Sequence, residues 1–499
     1  MSREKCATCR HLDGDGVRAA AALVVAALLG GCSFFSFLPW IEAEPKDQEE
    51  GEPAKLVDFE PEADIDRLWR AKVGRGLGRK YVRLAPVVVA DRVYAADGYG
   101  RVVAVNRFDG KPVWSTTVGE PDEGPFYEFW DRRDPSFVSG GLGAGEGRIL
   151  LGTTRGEVIA LDAGDGSELW RATVSSEVLA RPASAEDVVL AQTADGRLFA
   201  LEADDGRQRW AYDSQVPLLT LRGTSAPLPV GGFVFAGFGD GSVSAVAQAN
   251  GAPIWKHRVM LPQGRTEMDR LVDVDATPLF ANGRLYAVSF QGRLKALGAQ
   301  DGSLVWEMEA SSHLDLAEGY GQIYVIGSDD VVTAVGQNSA AVVWEQDALR
   351  NRNLTSPIAF GNYLLVGDAD GYLHVLAQSD GRFIARRKLA GGLRSPMVEV
   401  EGAVFVLTNS GRLEALRISR RCWRSSVLPA GDPRSRYRKM IATVLESSSL
   451  STNPQRSSMS SSGRPRAHRS SSVGTVGSGC AFRTSTNSID GASVEGSGS

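Results

Sequence analysis

The sequence predicts an all-β fold, an eight-bladed β-propeller of four-stranded antiparallel blades whose ring is closed by an N-terminal strand. Two observations support this prediction: a phrase that recurs about every 40 residues between Ala104 and Ala415, and the Asp-Gly or Asn-Gly turns within it. Repeats of this length, built from short strands and tight turns, are typical of propellers, in which each blade packs its faces on its neighbours.

Every repeat has the same order of strands and turns, shown most clearly by the stretch from Ala160 to Trp170. A small residue in the third strand is followed by the turn Asp165-Gly166 and, ten positions after the small residue, by a tryptophan. Asp-Gly and Asn-Gly supply the positive φ values that two-residue hairpin turns need. The small-residue position recurs eight times, at 104, 160, 200, 245, 296, 334, 375 and 415. The tryptophan position is occupied by Trp114, Trp170, Trp210, Trp255, Trp306 and Trp344, and by Ala385 in the seventh repeat.

The eighth repeat lacks a fourth strand of its own. Near the N terminus, the run that begins at Trp69 resembles the run that begins at Trp114. We therefore predict that the strand at Trp69 completes the eighth blade, which removes a free sheet edge. The tryptophans, Trp69 included, are predicted to fill the wedges between adjacent blades. A set of rings that stacks on a cofactor is the alternative interpretation.

The two ends of the chain differ from the repeat region. Residues 1–31 are predicted to be a signal peptide, because the apolar run at 19–29 is followed by small residues and is too short to span a bilayer. Its ending, Leu29-Gly30-Gly31-Cys32, resembles a bacterial lipobox, which implies that Cys32 is lipidated and becomes the mature N terminus. Ser33 resembles the residue that directs such proteins to the outer membrane. An ordinary cleavable signal is the alternative.

The remaining boundaries follow from composition. Residues 32–66 carry the lipidated cysteine and an acidic, proline-containing linker, and residues 67–418 contain the propeller. Residues 419–499 hold 22 serines and 12 Lys and Arg against four Asp and Glu. This tail is predicted to be disordered, with no nucleic-acid-binding module. A natural tail and a frameshifted or read-through end are both compatible with this composition.

Few residues of the propeller suggest catalysis or metal binding. Its histidines, His257, His313 and His374, are widely separated, and it contains no cysteine. Zinc sites and nucleophilic sites need convergent His, Cys or carboxylate groups. The stretch 368–371 resembles the start of a calcium loop, but the later ligand positions do not match, so a hairpin is predicted. We predict no catalytic residues, no metal and no cofactor.

The repeat resembles the pyrroloquinoline-quinone-type propeller motif, Ala-x-[Asp/Asn]-x-x-[Asp/Thr]-Gly-x-x-x-Trp, which two families share. One family is the quinoprotein dehydrogenases, whose propeller encloses the quinone and a calcium ion. The chain lacks the adjacent cysteine pair of these enzymes, but a periplasmic quinone-dependent dehydrogenase remains the alternative function. The closer resemblance is to the BamB family of outer-membrane assembly lipoproteins, over residues 32–418. Its most specific parts are the segments 216–227 and 266–278.

This resemblance implies a non-enzymatic scaffold, lipid-anchored at the periplasmic face of the outer membrane, in the complex that inserts β-barrel proteins. It implies that the two segments bind the periplasmic domains of BamA, within an assembly that contains further subunits. The contact residues carried over are Leu219, Leu221, Arg222, Asp273 and Asp275.

The residues themselves are compatible with such a contact. Alternation puts Leu219 and Leu221 on the same side of an extended segment, and exposed apolar groups beside charges form binding hot spots. The alternative is that the leucines point into the blade and the aspartates cap turns. Charge reversal at Arg222 or Asp273 is expected to weaken binding and leave the fold intact. A further hypothesis is that unfolded outer-membrane proteins add as strands to the blades.

Overall fold

The computed structural model describes residues 51–80, 82–120, 134–221 and 223–421. The predicted signal peptide, Cys32, Arg222 and the tail beyond residue 421 lie outside these ranges. Within the described residues, no helix is long and apolar enough to cross a membrane.

In the described part of the chain, thirty-two strands form eight four-stranded antiparallel sheets, each one blade of the propeller. The strands of the first four blades are as follows: blade 1, β2 (Val87–Val89), β3 (Arg92–Ala96), β4 (Arg101–Asn106) and β5 (Pro112–Thr117); blade 2, β6 (Val138–Gly145), β7 (Arg148–Thr153), β8 (Glu157–Asp162) and β9 (Glu168–Thr173); blade 3, β10 (Ala183–Ala185), β11 (Val188–Gln192), β12 (Arg197–Glu202) and β13 (Gln208–Asp213); blade 4, β14 (Leu228–Val230), β15 (Phe233–Gly237), β16 (Ser242–Ala247) and β17 (Pro253–Arg258).

The strands of the last four blades are as follows: blade 5, β18 (Leu279–Ala281), β19 (Arg284–Val288), β20 (Gly292–Gly298) and β21 (Leu304–Ala310); blade 6, β22 (Ala317–Gly319), β23 (Gln322–Ile326), β24 (Val332–Gly336) and β25 (Val342–Gln346); blade 7, β26 (Ile358–Phe360), β27 (Tyr363–Gly367), β28 (Tyr372–Ala377) and β29 (Phe383–Lys388); blade 8, β30 (Val398–Val400), β31 (Ala403–Leu407), β32 (Arg412–Arg420) and β1 (Ala63–Lys72).

The N-terminal strand closes the ring, as predicted. Strand β1 pairs antiparallel with β32 from Ala63 opposite Arg420 to Lys72 opposite Arg412, and Trp69 lies opposite Ala415. The eighth blade therefore takes its fourth strand from the other end of the chain. The eight-bladed all-β fold and its N-terminal closure are confirmed.

The strand order gives the ring two different ends. The connections from one blade to the next, and the hairpins between second and third strands, lie at one end, which we call the connector end. The turns between first and second strands, and between third and fourth strands, lie at the other, the turn end. This follows because every blade is antiparallel with its strands in the same order.

The repeated tryptophans join neighbouring blades. The Trp170 indole of blade 2 donates its Nε1–H to the Ala203 carbonyl of blade 3 at 2.7 Å. Its ring lies against Gly206, where an added β-carbon would come within 2.6 Å of the ring and where φ is +73°. Glycine is required there both for the turn and for this close approach. The other tryptophans donate to the equivalent carbonyls of the next blade: Trp69 to Arg107, Trp114 to Ala163, Trp210 to Gln248, Trp255 to Ala299, Trp306 to Gln337 and Trp344 to Gln378.

The same packing explains why the seventh repeat has Ala385 in place of tryptophan. In every other blade, the indole packs on the turn between the third and fourth strands of the next blade. Blade 8 has no such turn, because its third and fourth strands, β32 and β1, come from opposite ends of the chain. A tryptophan at position 385 would have no turn to pack on.

Candidate partner-binding site

The connections between blades converge at the connector end and enclose a cavity of about 330 Å³. Its wall comes from five different blade junctions and one hairpin, so it lies where these segments meet near the ring axis. The lining residues are Val82, Arg83, Leu179, Leu221, Gly223, Thr224, Asp275, Phe290 and His313. A second cavity of about 90 Å³ shares Arg83, Leu179, Thr224 and Asp275 with the first and therefore adjoins it.

The first of the predicted binding segments belongs to the connection between β13 and β14, residues 214–227. Leu218 is 98% exposed and Leu219 is 40% exposed, whereas Leu221 is half-buried in the cavity wall. The structure thus brings Leu221 to the cavity and leaves Leu219 on the surface. Leu218, which the sequence did not single out, is the most exposed leucine of the segment. Strand alternation does not predict which leucine is exposed, because the segment is not a regular strand.

The second segment belongs to the connection between β17 and β18, residues 259–278, and it is tied to the first by Asp273. This side chain is only 1% exposed, and its Oδ1 accepts a hydrogen bond from the Leu221 N–H at 3.0 Å. The bond holds the two connections in one arrangement. Burial revises the expectation that charge reversal at Asp273 leaves the fold intact, because a lysine there would bury a cation beside an unpaired N–H.

Asp275 lines both cavities, and the backbone of the first connection approaches it closely. Gly223 lies against the Asp275 carboxylate, where any β-carbon would clash. Burial, and next the nearby Asp273 carboxylate, raise the pKa of Asp275 to about 7, with Arg83 acting in the opposite direction. Burial raises the pKa of Asp273 to about 6. Near neutral pH, Asp275 therefore divides its population between the charged and the neutral carboxyl.

Arg83 and His313 also line the cavity. The Arg83 guanidinium donates to the His313 carbonyl oxygen at 3.1 Å. Burial, helped by the charge of Arg83, lowers the pKa of His313 to about 4, so its imidazole is neutral at pH 7. The sequence alone does not predict that these residues lie near Asp275, because they come together only when the ring closes.

The arrangement favours binding. The cavity has mainly apolar walls with one titratable carboxylate and one guanidinium, and exposed leucines lie on the neighbouring surface. Among the described residues, no group of three or more His, Cys, Asp or Glu side chains is arranged to hold a metal ion. Concave apolar surfaces with a few fixed polar groups are suited to holding a side chain of a partner.

Comparison with known proteins identifies the family. The family model described as outer membrane protein assembly factor BamB matches residues 57–128, 127–346 and 328–430. The chain is 42% identical over 400 residues to the outer membrane protein assembly factor BamB of Pseudomonas aeruginosa, covering 80% of this chain and 98% of that protein. It is 36% identical over 395 residues to the Escherichia coli BamB, covering 79% and 97%.

Solved structures agree with this assignment. The crystal structure of BamB from Moraxella catarrhalis matches with a TM-score of 0.63 and 27% identity, covering 71% of this chain and all of that one. Quinohemoprotein alcohol dehydrogenase from Comamonas testosteroni matches with a TM-score of 0.55 at 14% identity, and this likeness shows the fold alone. The chain belongs to the BamB family of outer membrane protein assembly factors.

Proposed function

We propose that the chain is a non-enzymatic scaffold of the outer-membrane β-barrel assembly complex and that it binds BamA through the connector end of the ring. The observation that supports the proposal best is the Asp273 bond to the Leu221 N–H, which fixes the two binding segments beside the shared cavity. A surface that is already ordered loses little conformational entropy when a partner binds.

The proposed contact has an apolar centre and a charged border. Leu218 and Leu219 are exposed next to the cavity, and Leu221 forms part of its wall. Apolar side chains that a partner fully covers contribute most of the energy of an interface, and nearby charges add specificity. Asp275 and Arg83 are ionisable groups that line the cavity, and Arg222 is included in the proposal only because of the family resemblance.

The anchor is part of the same proposal. Lipidation of Cys32 would hold the propeller at the periplasmic face of the outer membrane, and residues 33–50 would supply the linker to the described part of the chain. A diacylglyceryl group together with an N-acyl chain exceeds the two signals that stable membrane anchoring needs. Anchoring places the ring where newly arriving β-barrel proteins are inserted.

The test is the affinity of the purified propeller for the periplasmic domains of BamA. Leu219→Asp puts a charge at the centre of the proposed contact and is expected to weaken binding at least about tenfold. Leu169→Asp is the matched control, because Leu169 is a leucine of similar exposure on the outer edge of blade 2. Its affinity is expected to stay within about twofold of the unaltered chain. Equal losses for both variants, or no loss for Leu219→Asp, would contradict the proposal.

A further inference from the structure

An N-terminal segment, residues 51–62, lies along the outer strand of blade 7; we call it the strap. Near its start, the Ala54 N–H donates to the Arg350 carbonyl at 2.9 Å. At its end, the Glu62 N–H donates to the Ile384 carbonyl of β29, also at 2.9 Å. The strap is therefore held at both ends by backbone hydrogen bonds, although it is not itself a strand.

Side chains fix the middle of the strap. Phe59 stacks on Phe383, with ring centroids 5.3 Å apart and an interplanar angle of 24°. The Arg386 guanidinium lies 5.0 Å from the centroids of both rings and donates to the Val57 carbonyl at 2.8 Å. A cation over two aromatic rings adds to the apolar contact between them.

The strap covers a position that is open on other blades. Ile384 occupies the place that directly precedes the repeated tryptophan, and it is only 4% exposed. The equivalent residues of blades 2, 4 and 6, Leu169, Ile254 and Val343, are 46%, 46% and 49% exposed. The strap thus packs on blade 7, the blade that lacks the repeated tryptophan.

A buried polar network holds the two arginines that bind the strap. Arg352 donates from Nη1 to the Ala54 carbonyl and from Nε to Asp368, both at 2.8 Å. Arg386 donates to Nδ1 of His374 at 3.1 Å, and Nε2 of His374 lies 3.1 Å from Asp368. Because Nδ1 accepts, Nε2 carries the proton and donates to Asp368, so the imidazole is neutral. Its burial lowers the pKa of His374 in agreement with this state.

The strap crosses the blade from one end of the ring to the other. Ala54 contacts the connection between β25 and β26, which lies at the connector end. Glu62 lies beside the start of β29 and immediately before β1, at the turn end. The eight steps between them span about 26 Å when extended, enough to run the height of a blade.

We propose that the strap fixes the point at which the membrane tether leaves the propeller, so that the lipid anchor and the partner-binding surface lie at the same end of the ring. Without the strap, the chain would leave the propeller from Ala63 at the turn end. The docked strap moves this point to Gly51, beside the connections between blades. This inference rests on the lipidation of Cys32 under the proposed function, and it favours the orientation in which the connector end lies nearer the membrane.

The first test is hydrogen exchange of the strap amides. Phe59→Ala removes the central ring contact and is expected to speed exchange at Ala54 and Glu62 about tenfold, because both amides would lose their acceptors when the strap opens. Glu60→Ala is the matched control, since Glu60 is an exposed strap residue, and its exchange is expected to match that of the unaltered chain. Unchanged exchange in Phe59→Ala would show that the ring contact does not hold the strap.

The second test measures orientation on a membrane. A fluorophore is placed on the lipidated full chain at Leu218→Cys, at the connector end, or at Phe108→Cys, at the turn end, with Cys422→Ser and Cys480→Ser in both. Energy transfer to an acceptor lipid in anionic vesicles is expected to be stronger at position 218. Phe59→Ala is expected to abolish this difference.

The outcomes of this second test separate the two proposals. Equal transfer at both positions in the strap-intact protein would overturn the orientation proposal while vesicle binding persists. Failure of the lipidated chain to bind vesicles at all would instead contradict the anchor, and with it the proposed function. Urea unfolding of Phe59→Ala serves to show that the ring itself is intact, because the strap lies outside the sheets.

Discussion

Replacement of Trp170 by alanine tests how the blades are held together. The indole is 7% exposed, and burying a ring of about 200 Å² at about 25 cal/mol per Å² contributes on the order of 5 kcal/mol. The hydrogen bond to the Ala203 carbonyl adds about 1 kcal/mol. Since neighbouring groups relax around a cavity, we expect Trp170→Ala to lower the free energy of unfolding by about 3–5 kcal/mol. Leu169→Ser, an exposed change one residue away, is expected to stay within about 0.5 kcal/mol.

The contact of Trp170 with Gly206 gives this prediction a second, sharper form. In the unaltered chain, Gly206→Ala must place a β-carbon within 2.6 Å of the indole at a φ of +73°. We expect this substitution to lower the free energy of unfolding by about 1–2 kcal/mol through the backbone conformation and by about a further 1–3 kcal/mol through the clash. In the Trp170→Ala background the clash disappears and only the backbone cost remains. The double variant is therefore expected to be more stable than the sum of the two single changes implies.

The assay is equilibrium unfolding in urea followed by far-ultraviolet circular dichroism, whose signal comes mainly from the backbone. The slope against urea is expected to stay constant, so that the midpoints report stability. A cost below about 1 kcal/mol for Trp170→Ala, or strict additivity with Gly206→Ala, would refute the proposed role of the indole in joining blades.

Two further changes follow from the structure. Ala385→Trp, which restores the repeat sequence, is expected to lower the free energy of unfolding in urea by about 1–3 kcal/mol, because position 385 is buried and blade 8 has no turn on which the indole could pack. A gain in stability would contradict this expectation. Asp275 has a folded-state pKa of about 7, above the ordinary value of 3.8, so its neutral form favours folding fully below pH 4 and this contribution is lost as the pH rises through 7. Between pH 4 and 8, the unfolding free energy of Asp275→Asn is expected to fall by about 2–4 kcal/mol less than that of the unaltered chain. An unchanged pH profile would show that Asp275 keeps an ordinary pKa.

The fold was largely predictable from the sequence because the same local chemistry repeats. Each Asp-Gly or Asn-Gly turn, and each small residue ten positions before a tryptophan, predicts the same strands and turns. A repeat with an unclear pattern can therefore be assigned from the other repeats. Closure by β1 followed from a single resemblance, that of the run at Trp69 to the run at Trp114. The reason for Ala385 was not predicted, because the sequence does not show that each indole packs on the turn between the third and fourth strands of the next blade, a turn that blade 8 lacks.

The candidate site was predictable only through the family resemblance. The two segments are joined by the Asp273 bond to the Leu221 N–H, and Leu221 and Asp275 line one cavity, whereas the binding role that the resemblance gives to these residues stays a prediction. Their burial was not predictable, because an aspartate beside apolar residues in sequence gives no indication that it accepts a bond from Leu221 some 50 residues earlier. Arg83 and His313 reach the same cavity only through ring closure.

The central claim is that the partner binds at the connector end of the ring. It is tested most directly by placing a photoreactive residue at Leu218, at the connector end, or at Phe108, at the turn end, since both positions are exposed. After irradiation with the periplasmic domains of BamA, the claim predicts a crosslinked product from position 218 and none from position 108. A product from position 108 alone, or equal products from both positions, would contradict it.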